Sequence, residues 1–288
     1  MHKSILFVSI VCLCAALAVQ AADEPKLTAE ELVAKHLAAI GSPEARAAVK
    51  SRGVDGGAKF EFLSAGGAGQ SLGSMKLATE GNKLRLAVNL NTSNYTGEDF
   101  ISDGSRVSIA GFVSGKKSML GAFVDQRSEL LKEGLFGGVL STGWSLLNVA
   151  DRKAKLKYNG LKKVGDKELL ELKYEPKKSS DNIQIRLYFD PVTYRHVMTI
   201  YEALIPVTAA RSINPNSRVA TNGAQSQEGH QLLKETFGNF KALDGITLPS
   251  SWTIQLTNDV DVTTSMKWEF DIRSAVHAPV DPAAFKMK

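Results

Sequence analysis

Residues 183–201, IQIRLYFDPVTYRHVMTIY, write a two-stranded hairpin in one stretch. Ile183, Ile185, Leu187 and Phe189 alternate with Gln184, Arg186 and Tyr188, a period of two that gives a strand one apolar side and one wetter side. Asp190-Pro191 supplies the turn, because proline presets φ and has no N–H for a continuing ladder. The run from Tyr194 to Tyr201, mixing β-branched, aromatic and polar residues, reads as the antiparallel partner.

The same grammar extends in both directions. Upstream, residues 59–63, 72–79 and 83–90 read as strands joined by Gly66-Gly67-Ala68-Gly69 and Gly81-Asn82. Residues 99–102 and 105–112, split by Asp103-Gly104, form a further hairpin; 155–158 and 168–174 lead into the central one. Downstream, 232–243 and 246–257 flank the turn Asp244-Gly245, and a last strand over 262–275 carries Met266, Trp268, Phe270 and Ile272 in alternation. The total is about eleven to twelve antiparallel strands, too wide a sheet to stay open and flat. The expected fold class is mainly β with α insertions: one curled antiparallel sheet, an incomplete β-barrel covered by helices.

Two segments depart from that period. Leu27 to Leu32 open a helix in which Thr28 caps, Glu31 answers three residues later and Leu27 staples onto Leu32. Its apolar side is Leu32, Val33, Leu37 and Ile40; it stops at Gly41, and Ser42-Pro43-Glu44 begins a second short helix. Residues 118–132 read as another helix, with Phe123, Leu130 and Leu131 on its apolar side. It leads into a glycine-broken apolar run in which Leu135, Phe136, Val139, Leu140 and Trp144 are candidates for a movable lid, with buried core packing as the plainer account. Residues 206–229, rich in Ser, Asn, Gln and Ala, read as a disordered loop, with gating of a cavity as the second reading.

The amino terminus, MHKSILFVSIVCLCAALAVQA, has a short basic start, an apolar core and a small-residue cleavage pattern ending at Ala21. It reads as a secretory signal peptide over residues 1–21, leaving 22–288 as a single exported domain. Cys12 and Cys14 leave with it, so neither disulfides nor a lipid anchor are expected. The net charge of +5 is spread along the chain. It permits transient contact with an anionic membrane surface and offers nucleic acid no massed basic patch.

No motif carries strong catalytic chemistry. Gly69-Gln70-Ser71-Leu72-Gly73 matches G-x-S-x-G by letter, but a nucleophile elbow needs a strand before it and a helix after it. His36, His196, His230 and His277 are far apart and show no metal-ligand spacing, so neither a metal nor a cofactor is expected. Asn91-Thr92-Ser93 and Asn94-Tyr95-Thr96 match glycosylation sequons. An apolar cavity inside the curled sheet is the better candidate, with Phe60, Phe62, Leu84, Leu86, Val88, Ile185, Leu187, Met198, Trp252, Ile254, Trp268 and Phe270 as lining residues.

TAEELVAKHLAAIG at 28–41, ISDGSRV at 101–107, NGLKKVGDKELLELKYEP at 159–176, FGNFKALDGITLPSSW at 237–252 and PVDPAAFKMK at 279–288 together resemble the exported bacterial proteins of the LolA-like, outer-membrane lipoprotein-sorting class. The resemblance implies a half-open barrel with helices as its lid, and a cavity that holds the acyl chain of a lipid or lipoprotein in the periplasm. The family's cavity arginine has no assigned counterpart here, and the chain is longer than a typical carrier of that class. The same resemblance implies a rival role, an envelope-sensing module that binds a protein partner and no ligand.

Overall fold

The computed structural model describes residues 27–64, 67–93, 95–111, 117–177, 183–205, 229–259 and 264–287. The signal-peptide reading lies outside them, as does the loop reading at 206–228.

The strands are β1 (Ser51–Ser64), β2 (Gly67–Glu80), β3 (Lys83–Leu90), β4 (Asp99–Ser102), β5 (Val107–Ala110), β6 (Lys155–Val164), β7 (Lys167–Glu175), β8 (Ile183–Phe189), β9 (His196–Ile205), β10 (Gly229–Leu243), β11 (Ile246–Asp259) and β12 (Thr264–Val276). They form one antiparallel sheet in the order β5-β4-β3-β2-β1-β12-β11-β10-β9-β8-β7-β6. The first five strands meander from the centre to one edge, and the last seven return from the other edge until β12 pairs with β1. The edges β5 and β6 do not pair, so the sheet is not closed.

One side chain shows how strongly the sheet curls. The Phe136 ring lies 6.2 Å from Phe100 on β4 and 5.6 Å from Trp252 on β11. Those strands are five positions apart, which in a flat sheet would be about 24 Å at the usual strand spacing. Contact through a single ring therefore requires a deeply concave inner face.

The chain from β5 to β6 crosses that face from edge to edge. It contains α3 (Met119–Gln126), α4 (Glu129–Lys132), 3-10 turns at Gly138–Leu140 and Ser145–Asn148, and α5 (Val149–Arg152). The single helix expected over 118–132 is two, broken at Arg127–Ser128 where Arg127 leaves helical geometry. At the amino end, α1 (Ala29–Ile40) has the expected capping box: Glu31 N–H donates to Thr28 Oγ1 at 3.1 Å and Thr28 N–H to the Glu31 carboxylate at 2.8 Å. Ser42 caps α2 (Pro43–Ala48) one way only, its Oγ accepting from Ala45 N at 3.1 Å with no bond returned.

Several strand bounds differ from the expectation. β1 begins at Ser51, and Gly67, Ala68 and Gly69 belong to β2, paired with Ser64, Leu63 and Phe62. The hairpin turn is thus shorter than the glycine run suggests, because glycine also tolerates strand geometry. In the central hairpin, Ile185 faces Tyr201 and Leu187 faces Thr199, as the alternation requires. Tyr194 and Arg195 belong to the turn and not to the strand: Asp190 Oδ1 accepts from Val192 N, Thr193 N and Thr193 Oγ1, and Tyr194 adopts positive φ. Among the described residues no helix is long and apolar enough to cross a membrane.

Candidate functional site

The inner face is filled for most of its length. Leu84, Leu86 and Val88 on β3, Ile185 and Leu187 on β8, Trp252 and Ile254 on β11, and Trp268 and Phe270 on β12 are all buried in one continuous core. Met198 is placed otherwise. It stands directly opposite Tyr188 in the ladder, and directly opposed residues share a face, so it points away from Leu187, Thr199 and Tyr201. The start of β9 mixes polar and apolar residues on both faces, which conceals this in the sequence.

Leu135, Phe136, Val139, Leu140 and Trp144 are buried too. They form a plug in the concave face and not a roof over an open cavity. Buried polar contacts hold it. Glu235 Oε1 accepts from Gly137 N at 2.9 Å and from Trp252 Nε1 at 3.0 Å, while Oε2 accepts from Tyr201 Oη at 2.7 Å. Arg52 Nη1 donates to the carbonyls of Val139 at 2.7 Å and Leu140 at 2.8 Å. Trp144 Nε1 donates to His36 Nε2 at 3.0 Å, and the Trp144 ring stacks on His196 with centroids 4.7 Å apart.

Burial sets the electrostatics of these groups. Desolvation pushes the Glu235 carboxyl up to about 7 against its three donors. Desolvation also lowers His36 to about 4 and His196 well below the usual imidazole range. Arg52 is lowered to about 10 and stays charged at neutral pH. The sequence reading missed Glu235 and Arg52. Their signal was a charge at an inward position, Glu235 between Leu233 and Phe237 and Arg52 two residues before Val54.

Open space lies beyond the plug, at the end of the sheet formed by the β1–β2 hairpin. A cavity of about 500 Å³ is lined by Phe60, Phe62, Gly69, Gln70, Ser71, Thr92, Tyr95, Lys117, Ser118, Met119 and Met266. Of the residues expected to line a cavity, Phe60 and Phe62 do so, and Trp268 stands behind Phe60 with ring centroids 5.1 Å apart. Tyr95, Ser118, Met119 and Met266 were not foreseen as lining. They come from a loop, a helix start and a distant strand, which no local pattern brings together.

A polar relay closes one side of this cavity. Trp268 Nε1 donates to Tyr95 Oη at 3.2 Å, and Tyr95 Oη donates to Glu98 Oε2 at 3.2 Å. Ser118 donates its amide to Glu98 Oε1 at 2.8 Å and its hydroxyl to Oε2 at 2.5 Å, while its Oγ caps α3 by accepting from Gly121 N at 3.0 Å. Burial raises the Glu98 carboxyl, with the Ser118 and Tyr95 donors and the Lys117 charge opposing. Burial, together with the Glu98 charge, pushes the Tyr95 phenol well up. The Tyr95 and Ser118 hydroxyls are both committed to Glu98, so the relay orients side chains and presents no activated nucleophile to the cavity.

Ser71 of the G-x-S-x-G match lies within β2, opposite Phe60, in strand and not in a strand-to-helix elbow. Its hydroxyl has no hydrogen-bond partner among the described residues, so no neighbouring base is set to take its proton. Among the described residues no three His, Cys, Asp or Glu side chains are grouped to hold a metal ion.

No protein-family model matches the chain, and no curated protein matches it. Solved structures do. The chain is similar to a LolA superfamily protein from Nitrosomonas europaea at 13% identity, with 90% of this chain and 97% of that one covered and a TM-score of 0.46. An outer membrane lipoprotein-sorting protein domain from Vibrio parahaemolyticus is 12% identical, with 88% and 97% covered and a TM-score of 0.43. A DUF1329 family protein from Desulfovibrio piger is 10% identical, with 90% and 97% covered and a TM-score of 0.44.

Proposed function

We propose that this chain is an exported carrier that acts in the periplasm, holding one apolar chain of a lipid, lipoprotein or other hydrophobic molecule without covalent chemistry. The observation that carries the reading is the cavity of about 500 Å³ walled by Phe60, Phe62, Met119 and Met266. That volume falls within the usual range of small-molecule sites, and two flexible thioethers in the wall suit a ligand of variable shape.

Magnitudes favour reversible holding. Burying a chain of about ten methylenes contributes roughly 8 kcal/mol at ~0.8 kcal/mol each. Association costs about 4–15 kcal/mol in lost freedom, so the chain alone nets at most about 4 kcal/mol and release is possible. A carrier needs both halves of that balance. The buried plug supports the reading by confining the ligand to the hairpin end of the barrel, where it can enter and leave without unpacking the core.

The test is mass spectrometry on the protein purified from its native envelope without detergent, before and after organic extraction. A reproducible bound apolar molecule is expected. A chain that is empty and also fails to take up added lipid would overturn the proposal and favour a packed protein-interaction module.

A further inference from the structure

We infer that a cleft between α2 and the plug holds a small, weakly hydrated monovalent anion of the halide class, bound by Arg46 and Arg52. The site shares no lining residue with the apolar cavity and does not depend on the carrier reading.

The cleft measures about 40 Å³, against the roughly 10–15 Å³ that one water needs, so it is the size of an ion and too small for a larger organic ligand. Its wall is Arg46 and Arg52, the hydroxyl residues Ser141 and Thr142, and six apolar side chains, Trp144 among them. None of these residues is acidic.

Arg52 is 4% exposed and every partner it has is neutral: the Val139 and Leu140 carbonyls, and Nε2 of His277, which accepts from Nε at 3.1 Å. Its Nη2 forms no hydrogen bond among the described residues and keeps accessible surface. A buried cation without a counter-ion is unfavourable, and Arg52 stays charged at neutral pH. Arg46 is half-buried across the same cleft; its Nε donates to the Ser42 carbonyl at 3.4 Å, and neither Nη nitrogen is bonded among the described residues. Ser141 Oγ accepts from Gly143 N at 3.1 Å, which leaves its own proton to donate.

Two carboxylates stand close without entering. Asp244 faces His277 Nδ1 at 3.2 Å from the solvent side, and Glu44 is exposed on α2. Two guanidinium groups on one small cleft therefore meet no carboxylate inside it, and an anion between them supplies the missing charge. The apolar side chains set its class. They offer nothing in place of lost water, so a halide, which sheds its hydration more cheaply than sulfate or phosphate, is favoured.

The experiment is thermal denaturation of the full chain in sodium chloride, bromide, sulfate and gluconate, at one pH and equal ionic strength, gluconate being too large for the cleft. In about 0.2 M chloride or bromide the Tm should stand about 3–5 °C above that in gluconate and approach a plateau with concentration. Arg46→Gln, on a surface helix, should fold and lose that difference, and Arg46→Lys should keep part of it. Sulfate should shift the unaltered chain and Arg46→Gln alike, because it acts on the whole surface and not through the cleft. Anomalous diffraction from bromide-soaked crystals of the unaltered chain should place a bromide between the two guanidinium groups, a readout that stands even if Arg46→Gln fails to fold. Equal Tm in halide and gluconate, a difference that survives Arg46→Gln, or bromide found only elsewhere would overturn the site. A sulfate effect lost in Arg46→Gln would overturn the assignment to a monovalent anion.

Discussion

The Glu235 carboxylate accepts the backbone N–H of Gly137 at 2.9 Å, across 98 residues of chain. This bond ties the plug between the sheet edges to the middle of β10, and its acceptor is a group whose charge burial opposes.

That opposition has a definite sign. Glu235 sits at about 7 in the fold against 4.5 for a free side chain. The fold therefore binds this proton more tightly than the unfolded chain does. The stability it contributes is fully present below about pH 4.5 and is lost as pH rises to about 7, roughly 3 kcal/mol in all. His36 runs the other way, lowered to about 4 from 6.5, so its contribution is present above about pH 6.5 and lost as pH falls to about 4. The two slopes offset one another over nearly the same interval. Glu235→Gln should keep all three bonds, its amide oxygen accepting from Gly137 and Trp252 and its NH₂ donating to Tyr201, while removing one slope. Urea midpoints of that variant are expected to fall more steeply than those of the unaltered chain between about pH 6.5 and 4. Parallel curves would count against the assignment.

Arg52 spans the sheet and the plug through two carbonyls and His277. Arg52→Met should destabilise the fold by about 2–4 kcal/mol, because the Val139 and Leu140 carbonyls lose their buried charged donor. Arg52→Lys should fall between, since one ammonium cannot reproduce the geometry of the fork. Equilibrium denaturation of the three chains orders them.

Gly138 has φ +51°, and a Cβ there would lie 2.9 Å from His196 Nδ1 and 3.0 Å from the Phe237 ring. Gly160 also has positive φ, yet a Cβ would meet nothing within 4 Å. Alanine at Gly160 should cost about 1 kcal/mol for the left-handed backbone alone. At Gly138 the cost should reach about 2–4 kcal/mol as crowding adds to it. Equal losses in thermal denaturation would show that the plug gives way without resistance.

Leu86 and Leu187 are fully buried in the core. An aspartate at either position places an unpaired charge where relief is least available, a cost of several kcal/mol against a total stability of about 5–15. Neither variant is expected to yield folded protein, so neither can report on ligand retention. Phe62 lines the cavity and is only half-buried. Phe62→Asp should therefore fold, by circular dichroism, and retain markedly less ligand after gel filtration. Retention equal to that of the unaltered chain would remove Phe62 from the site.

Much of this architecture is local and was legible as such. The alternation of Ile183, Ile185, Leu187 and Phe189, the Asp190-Pro191 corner and the Thr28–Glu31 capping box each lie within a few residues, where backbone geometry alone imposes the pattern. Such patterns accumulate into a twelve-stranded sheet that must curl, and they show that large apolar side chains face its interior. Alternation cannot say whether those side chains enclose space or meet one another. Trp252, Ile254, Leu187 and Leu86 have the same inward parity as Phe60 and Phe62, yet the first four are in a packed core and the last two line a cavity. The difference is made by the segment between β5 and β6, which crosses the concave face and fills it as far as Phe136 and Trp144 reach. From its own amino acids, therefore, the chain determined its strands, its caps and the need for a curled sheet, because those follow from contacts a few residues apart. Only the tertiary structure decided where the interior stays open, because that depends on which distant side chains meet, and close packing leaves no local mark of its partner.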